Sequence, residues 1–144
     1  MNYKRDLIDE LRSLPNLRAS IGNLNERIKI LKLERESIKS ARTDGDPVSG
    51  GGTNRREEML INNLYEDSVR KKTLEINERR IAQLEACLAS LLPNERTVLE
   101  RFYIYSESHA ADKLARDLSY DRSQIYNIKD AALRNMALML YGDE

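Results

Sequence analysis

From Leu17 onward, apolar residues recur at Leu17, Ile21, Leu24, Ile28, Leu31 and Ile38, alternately four and three positions apart, with Arg35 filling the one gap. That spacing puts them on one stripe of a helix, and a helix apolar on one stripe needs something to cover it. A second stripe is strongest at Leu74, Ile81, Leu84, Leu88 and Leu91, has Asn77 in its seam, and begins weakly at Leu60, Ile61 and Leu64. Two such helices cover each other most economically as an antiparallel hairpin, or they cover the same stripes of a second copy. Leu17, Ile21, Leu24, Ile28, Leu31, Leu74, Ile81, Leu84 and Leu88 are therefore the candidate oligomerisation seam, with a homodimer the favoured assembly. Arg35, Asp67, Lys71 and Asn77 are polar at seam positions; they cost stability and specify register or partner number.

Residues 43–53 carry four glycines and one proline, which excludes a continuous helix and predicts a flexible linker over 43–54. Pro15 suits the first turn of a helix, so residues 3–13 are expected as a separate short helix meeting the first heptad helix at a bend. The reading is all-α: a long, coiled-coil-like helical hairpin over 1–91, followed by a smaller domain over 92–144.

Composition narrows the function. Charged residues make up 33% of the 144, yet the formal net charge is zero, so any basic surface is local. One cysteine, Cys87, and one histidine, His109, rule out an internal disulfide framework and a set of soft metal ligands, and no cofactor is expected. No run approaches the roughly 20 apolar residues of a membrane span, which leaves the cytoplasm as the expected location and no membrane partner.

In the last third, Leu92-Pro93-Asn94-Glu95 breaks the heptads and opens a helix with Asn94 as its expected cap and Val98, Leu99, Phe102 and Tyr103 as its apolar side. Ser108 is the expected cap of a short helix through Ala111, Leu114, Ala115 and Leu118, and Ser119-Tyr120 makes a turn. Asp121 with Gln124 forms a capping box that opens a final helix, its Ile125, Ile128, Ala132, Leu133 and Met136 facing inward. Two short helices across a tight turn are the layout of a helix-turn-helix. Arg122, Ser123, Gln124, Tyr126, Asn127 and Lys129 lie on or near the side that Ile125 and Ile128 leave free. An arginine there suits guanine and a carboxamide suits adenine. Over residues 122–134 three positive charges face one negative, although the domain as a whole is slightly acidic.

Leu92-Pro93-Asn94-Glu95-Arg96, Val98-Leu99, Arg101-Phe102-Tyr103 and the Leu114-Ala115 pair, with the inward spacing of the last helix, resemble region four of bacterial sigma factors over roughly the last 50 residues. The whole layout, including Gly-Asp-Pro-Val-Ser-Gly-Gly at 45–51 and the Tyr-rich end, resembles the late-operon transcriptional regulators of Gram-positive phages. The resemblance implies an activator of late genes in the cytoplasm of a bacterial host, with double-stranded DNA and host RNA polymerase as partners. It implies that Arg122, Ser123, Tyr126 and Asn127 face the major groove and that Lys113 and Arg116 meet phosphate. Two departures stand out: His109-Ala110-Ala111 replaces a common aromatic position, and the last helix is less basic than the sigma pattern.

No feature calls for an enzyme. His109 has no second histidine or cysteine beside it and reads as a solvent-facing or capping residue, Cys87 reads as a small packing residue beside the seam, and the glycine run lacks the Gly-Lys-Ser/Thr end of a phosphate loop. Arg55-Arg56 and Arg70-Lys71-Lys72 read as a solvated face. The alternative to DNA reading is an adaptor that docks on RNA polymerase or another regulator without touching bases, which the acidic balance of residues 92–144 favours. A small DNA-packaging subunit is a third reading, against which stands the position of the helix-turn-helix at the end of the chain rather than its start.

Overall fold

A computed structural model describes residues 2–40 and 51–143. Every regular element among them is helical: α1 (Tyr3–Ser40), α2 (Gly51–Ser90), α3 (Pro93–Leu99) continued by a π-helical turn (Glu100–Ile104), α4 (Ala110–Leu118) and α5 (Arg122–Tyr141). None of these helices is long and apolar enough to cross a membrane. The packing divides the described chain into two compact units, one made of residues 1–18 with 79–144 and the other of residues 19–78.

The first unit is built around Leu7, Leu11 and Leu14 of α1, which are fully buried against Leu84, Leu88 and Leu91 of α2 and against Leu99, Tyr103, Leu133 and Met136 further along the chain. The boundary expected at residue 92 therefore falls inside this unit, because the ends of α1 and α2 share one core with α3 and α5. Cys87 is part of that core, and burial pushes its thiol pKa up, as a packing role requires. Arg18 meets Glu85 at 3.1 Å, Tyr3 stacks on Tyr141 with ring centroids 4.8 Å apart, and Arg12 lies over the Tyr103 ring. A smaller cluster of Val98, Ala110, Ala111, Leu114 and Ile125, with Phe102, Leu118, Tyr120 and Ile128 packed against it, holds α3, α4 and α5 together.

Residues 3–13 are not a separate helix. α1 runs through Pro15, which is exposed and costs the helix only the hydrogen bond to the Leu11 carbonyl; the burial of Leu11 and Leu14 on either side outweighs that loss. Of the linker expected over 43–54, residues 43–50 lie outside the described residues, while Gly51–Asn54 already belong to α2. Asn94 is not the cap of α3: the cap position falls to Leu92, Pro93 takes the first helical position, and the Glu95 carboxylate accepts from the Leu92 N–H at 3.2 Å. Ser108 is likewise displaced by His109, which caps α4 with φ 55° and no side-chain hydrogen bond.

In the second unit α1 and α2 run antiparallel along a mixed seam. Leu31 is buried; beside it Asn63 donates to the Leu31 carbonyl at 3.0 Å and accepts from Arg35 at 2.8 Å. Asp67 is buried between Arg35 at 3.3 Å and Lys71 at 2.8 Å, and those two cations, Lys71 foremost, hold its carboxyl below the usual range. Arg27 grips Glu66 with two hydrogen bonds, at 2.7 and 3.0 Å, and Asn77 donates to Ser20. Within this unit the seam positions Ile21, Leu24, Ile28 and Leu74 are half-buried, so the polar residues fix the register while the apolar ones cover one another.

Candidate nucleic-acid interface

The turn between α4 and α5 is three residues long. Ser119 closes α4 in the left-handed conformation with φ 60°, its N–H returning to the Ala115 carbonyl, and Asp121 opens α5 in extended backbone. The expected capping box is present: Asp121 Oδ1 accepts from the Gln124 N–H at 2.8 Å, and the Gln124 side chain accepts from the Asp121 N–H at 3.0 Å. The Ser123 hydroxyl donates to the same Asp121 oxygen at 2.7 Å, and these donors hold the Asp121 carboxyl below its ordinary pKa. Ile125 is fully buried and Ile128 half-buried, which anchors the first two turns of α5 and leaves their other side in solvent.

The sequence-derived residues divide into three groups. Ser123 and Gln124 are exposed, but their polar atoms serve the cap. Arg122, Tyr126 and Lys129 are tied to neighbouring elements. Arg122 Nε lies 3.1 Å from Asp112 of α4, and its guanidinium pKa is raised by the Tyr126 hydroxyl and by Asp112. Lys129 Nζ sits over two rings, 4.8 Å from the Tyr126 centroid and 5.3 Å from Phe102. The side chains of Asn127, Lys113 and Arg116 have no hydrogen-bonded or ionic partner among the described residues; Asn127 and Arg116 are exposed and Lys113 half-buried.

Three residues that shape this surface were not legible beforehand. Asp112 holds Arg122, Phe102 supplies the second face for Lys129, and Lys4 pairs with Asp130, the one negative charge of residues 122–134, at 3.4 Å. Each is a contact between distant segments, for which one chain's spacing carries no signal. Arg101 similarly neutralises Glu107 and Asp117, both at under 3 Å. Of these pairs only Lys4 with Asp130 brings a cation from outside residues 92–144, so the slight net acidity of that stretch is otherwise unchanged.

Beside the exposed side of α5 lies a groove of about 580 Å³ lined by Leu92, Pro93, Tyr120, Asn127, Ile128 and Ala131 among others. Asn94 donates to the Tyr120 hydroxyl at 3.2 Å on its rim, and Asn135 ties the buried Glu95 to α5 at 3.0 Å.

No family model, no curated protein and no solved structure matches the chain.

Proposed function

We propose that the chain is a phage-type DNA-binding transcriptional regulator, an activator of late genes in a bacterial cytoplasm, in which α4, the three-residue turn and α5 act as a helix-turn-helix. The observation that carries this reading is the solvent-facing start of α5, where Asn127 stands unpartnered beside Ser123 and Gln124 and follows Arg122 by little more than one turn. On this reading Asn127 presents both halves of its carboxamide to an adenine edge, Arg122 exchanges Asp112 for a guanine or a phosphate, and Lys113 and Arg116 of α4 neutralise backbone phosphates. The aromatic support under Lys129 holds its ammonium near the same edge without fixing it to a carboxylate. RNA polymerase of the host is the second partner of this reading.

The test is binding of the purified protein to fragments of its own genomic neighbourhood at two salt concentrations, beside the Arg122→Ala/Asn127→Ala variant. Saturable binding to one fragment that weakens with salt and is lost in the variant supports the reading. Equal binding by the variant, or none by the wild type, removes it.

One observation favours the adaptor reading instead. Arg122 and Lys129 of the α5 start are both occupied within the chain, while the groove beside them is largely apolar and Leu92, which lines it, is 68% exposed. Retention of purified RNA polymerase by the wild type but not by Leu92→Asp, with no DNA binding by either, is the outcome that selects it.

A further inference from the structure

The heptad seam is turned inward in the second unit, yet α2 carries another apolar stripe on its opposite side. Ile61 is 64% exposed, Tyr65 73% and Val69 40%, and Glu58 and Lys72 are exposed at the two ends of the same stripe. Asn63, Asp67, Leu74 and Asn77, which face α1, are on the other side of the helix. Isolated apolar residues on a surface need no explanation, but a row of three on one helical face, with charges only at its ends, does.

The order of this row is palindromic. Counted from Tyr65, apolar residues stand four positions before it (Ile61) and four after it (Val69), and charges of opposite sign stand seven before (Glu58) and seven after (Lys72). Two copies of α2 laid antiparallel about Tyr65 therefore place Ile61 against Val69 and Glu58 against Lys72, each twice, with the two Tyr65 rings meeting on the two-fold axis. In a two-fold pairing every contact i–j recurs as j–i whatever the sequence, and the mirrored order makes each of these contacts apolar on apolar or opposite in charge. A parallel pairing would set Glu58 against Glu58 and Lys72 against Lys72. A partner of unrelated sequence would have no need of the mirrored order.

We infer that this face of α2 is a homodimer interface, in which two chains pair antiparallel through Glu58, Ile61, Tyr65, Val69 and Lys72. The stripe is about 21 Å long at 1.5 Å per residue, which puts the buried area at the small end of specific interfaces, below about 1,200 Å² in total. A concentration-dependent equilibrium is therefore expected rather than a permanent dimer. The inference rests on the second unit alone and stands whether or not the chain binds DNA.

Sedimentation of the full-length protein over roughly 1–500 µM, with helix content by circular dichroism as the control for folding, tests it. The wild type shifts from monomer to dimer with concentration. Glu58→Lys and Lys72→Glu, each of which creates two like-charge pairs across the axis, weaken dimerisation about tenfold or more, and the double variant Glu58→Lys/Lys72→Glu recovers it, because the swap preserves complementarity. Tyr65→Cys in a Cys87→Ser background gives a disulfide-linked dimer under mild oxidation. A wild type that stays monomeric throughout overturns the inference. So does a dimer that the single charge reversals leave unchanged, since that dimer uses another surface.

Discussion

Arg35 Nη1 donates to Asn63 Oδ1 at 2.8 Å and lies 3.3 Å from Asp67 Oδ1, so one guanidinium satisfies a buried amide of α2 and forms an ion pair with a buried carboxylate that it does not hydrogen-bond. The apolar pattern alone would welcome leucine at position 35. We expect Arg35→Leu instead to destabilise the protein by about 1–3 kcal/mol, because Asn63 loses its donor and Asp67 keeps only Lys71. Replacing Asp67 by leucine as well should cost less than the sum of the single changes. The carboxyl of Asp67 is depressed in the folded state, so its contribution is full above the unfolded value near 4 and is lost as the pH falls further. Urea unfolding of the four proteins of the cycle at pH 7 and pH 3 measures both; an Arg35→Leu protein as stable as the wild type at pH 7 would refute the assignment.

Tyr141 gives the opposite pH dependence. Burial, followed by the carboxylates of Glu10, Asp6 and Asp9, pushes its hydroxyl up to about 12. A phenol whose folded value is raised contributes stability in full below the unfolded value near 10, and that contribution disappears as the pH rises towards 12. Thermal unfolding should be nearly level up to pH 9.5 and fall between 10 and 12, with a shallower fall in Tyr141→Phe, which cannot ionise. Identical alkaline profiles in the two proteins would remove the role given to Tyr141.

The Asp121 side chain closes the start of α5 through the Gln124 N–H and the Ser123 hydroxyl. Asp121→Ala should cost about 0.5–2 kcal/mol, and Asp121→Ser a good deal less, since serine still caps. Because the Asp121 carboxyl is held low when folded, the difference between wild type and Asp121→Ala should shrink below about pH 4. Amide exchange at residues 122–125 reads the effect locally, and unaltered exchange in Asp121→Ala would show that the start of α5 does not depend on the cap.

Lys113 and Arg116 bear on the proposed DNA interface. If they neutralise phosphates, each alanine substitution should weaken binding to all sequences alike and lower the slope of log affinity against log salt by about one. A loss confined to one sequence would make the residue a base reader, and no loss would take α4 out of contact with DNA.

The helices themselves were readable because their signals are local. The 3.5-residue stripes, the Asp121 and Gln124 box and the inward spacing of Ile125, Ala132, Leu133 and Met136 all depend on neighbours within a turn or two. Pro15 misled for the same reason: its local preference is for a first turn, and only the burial of Leu11 and Leu14 against Leu88 and Leu133 carries the helix through it. The cap at Leu92 was beyond reach, since an aliphatic side chain cannot cap, whereas His109, readable as a solvent-facing or capping residue, holds the cap position of α4 without a side-chain hydrogen bond. At the candidate interface, Arg122 and Lys129 were visible as cations, but Asp112 and Phe102, which decide what those cations do, are joined to them only through space.

The composition of the first unit from residues 1–18 and 79–144 also bears on how the chain is made. A ribosome releases Leu7, Leu11 and Leu14 well over a hundred residues before Leu133 and Met136, with which they share a core. At about 5–20 residues per second these leucines wait on the order of ten seconds for that last part of their core. Residues 19–78 form the second unit and have all emerged long before Leu133 and Met136. Synthesis therefore favours a nascent chain whose second unit has emerged while Leu7, Leu11 and Leu14 still lack part of their core, the point at which a chaperone would find its hold.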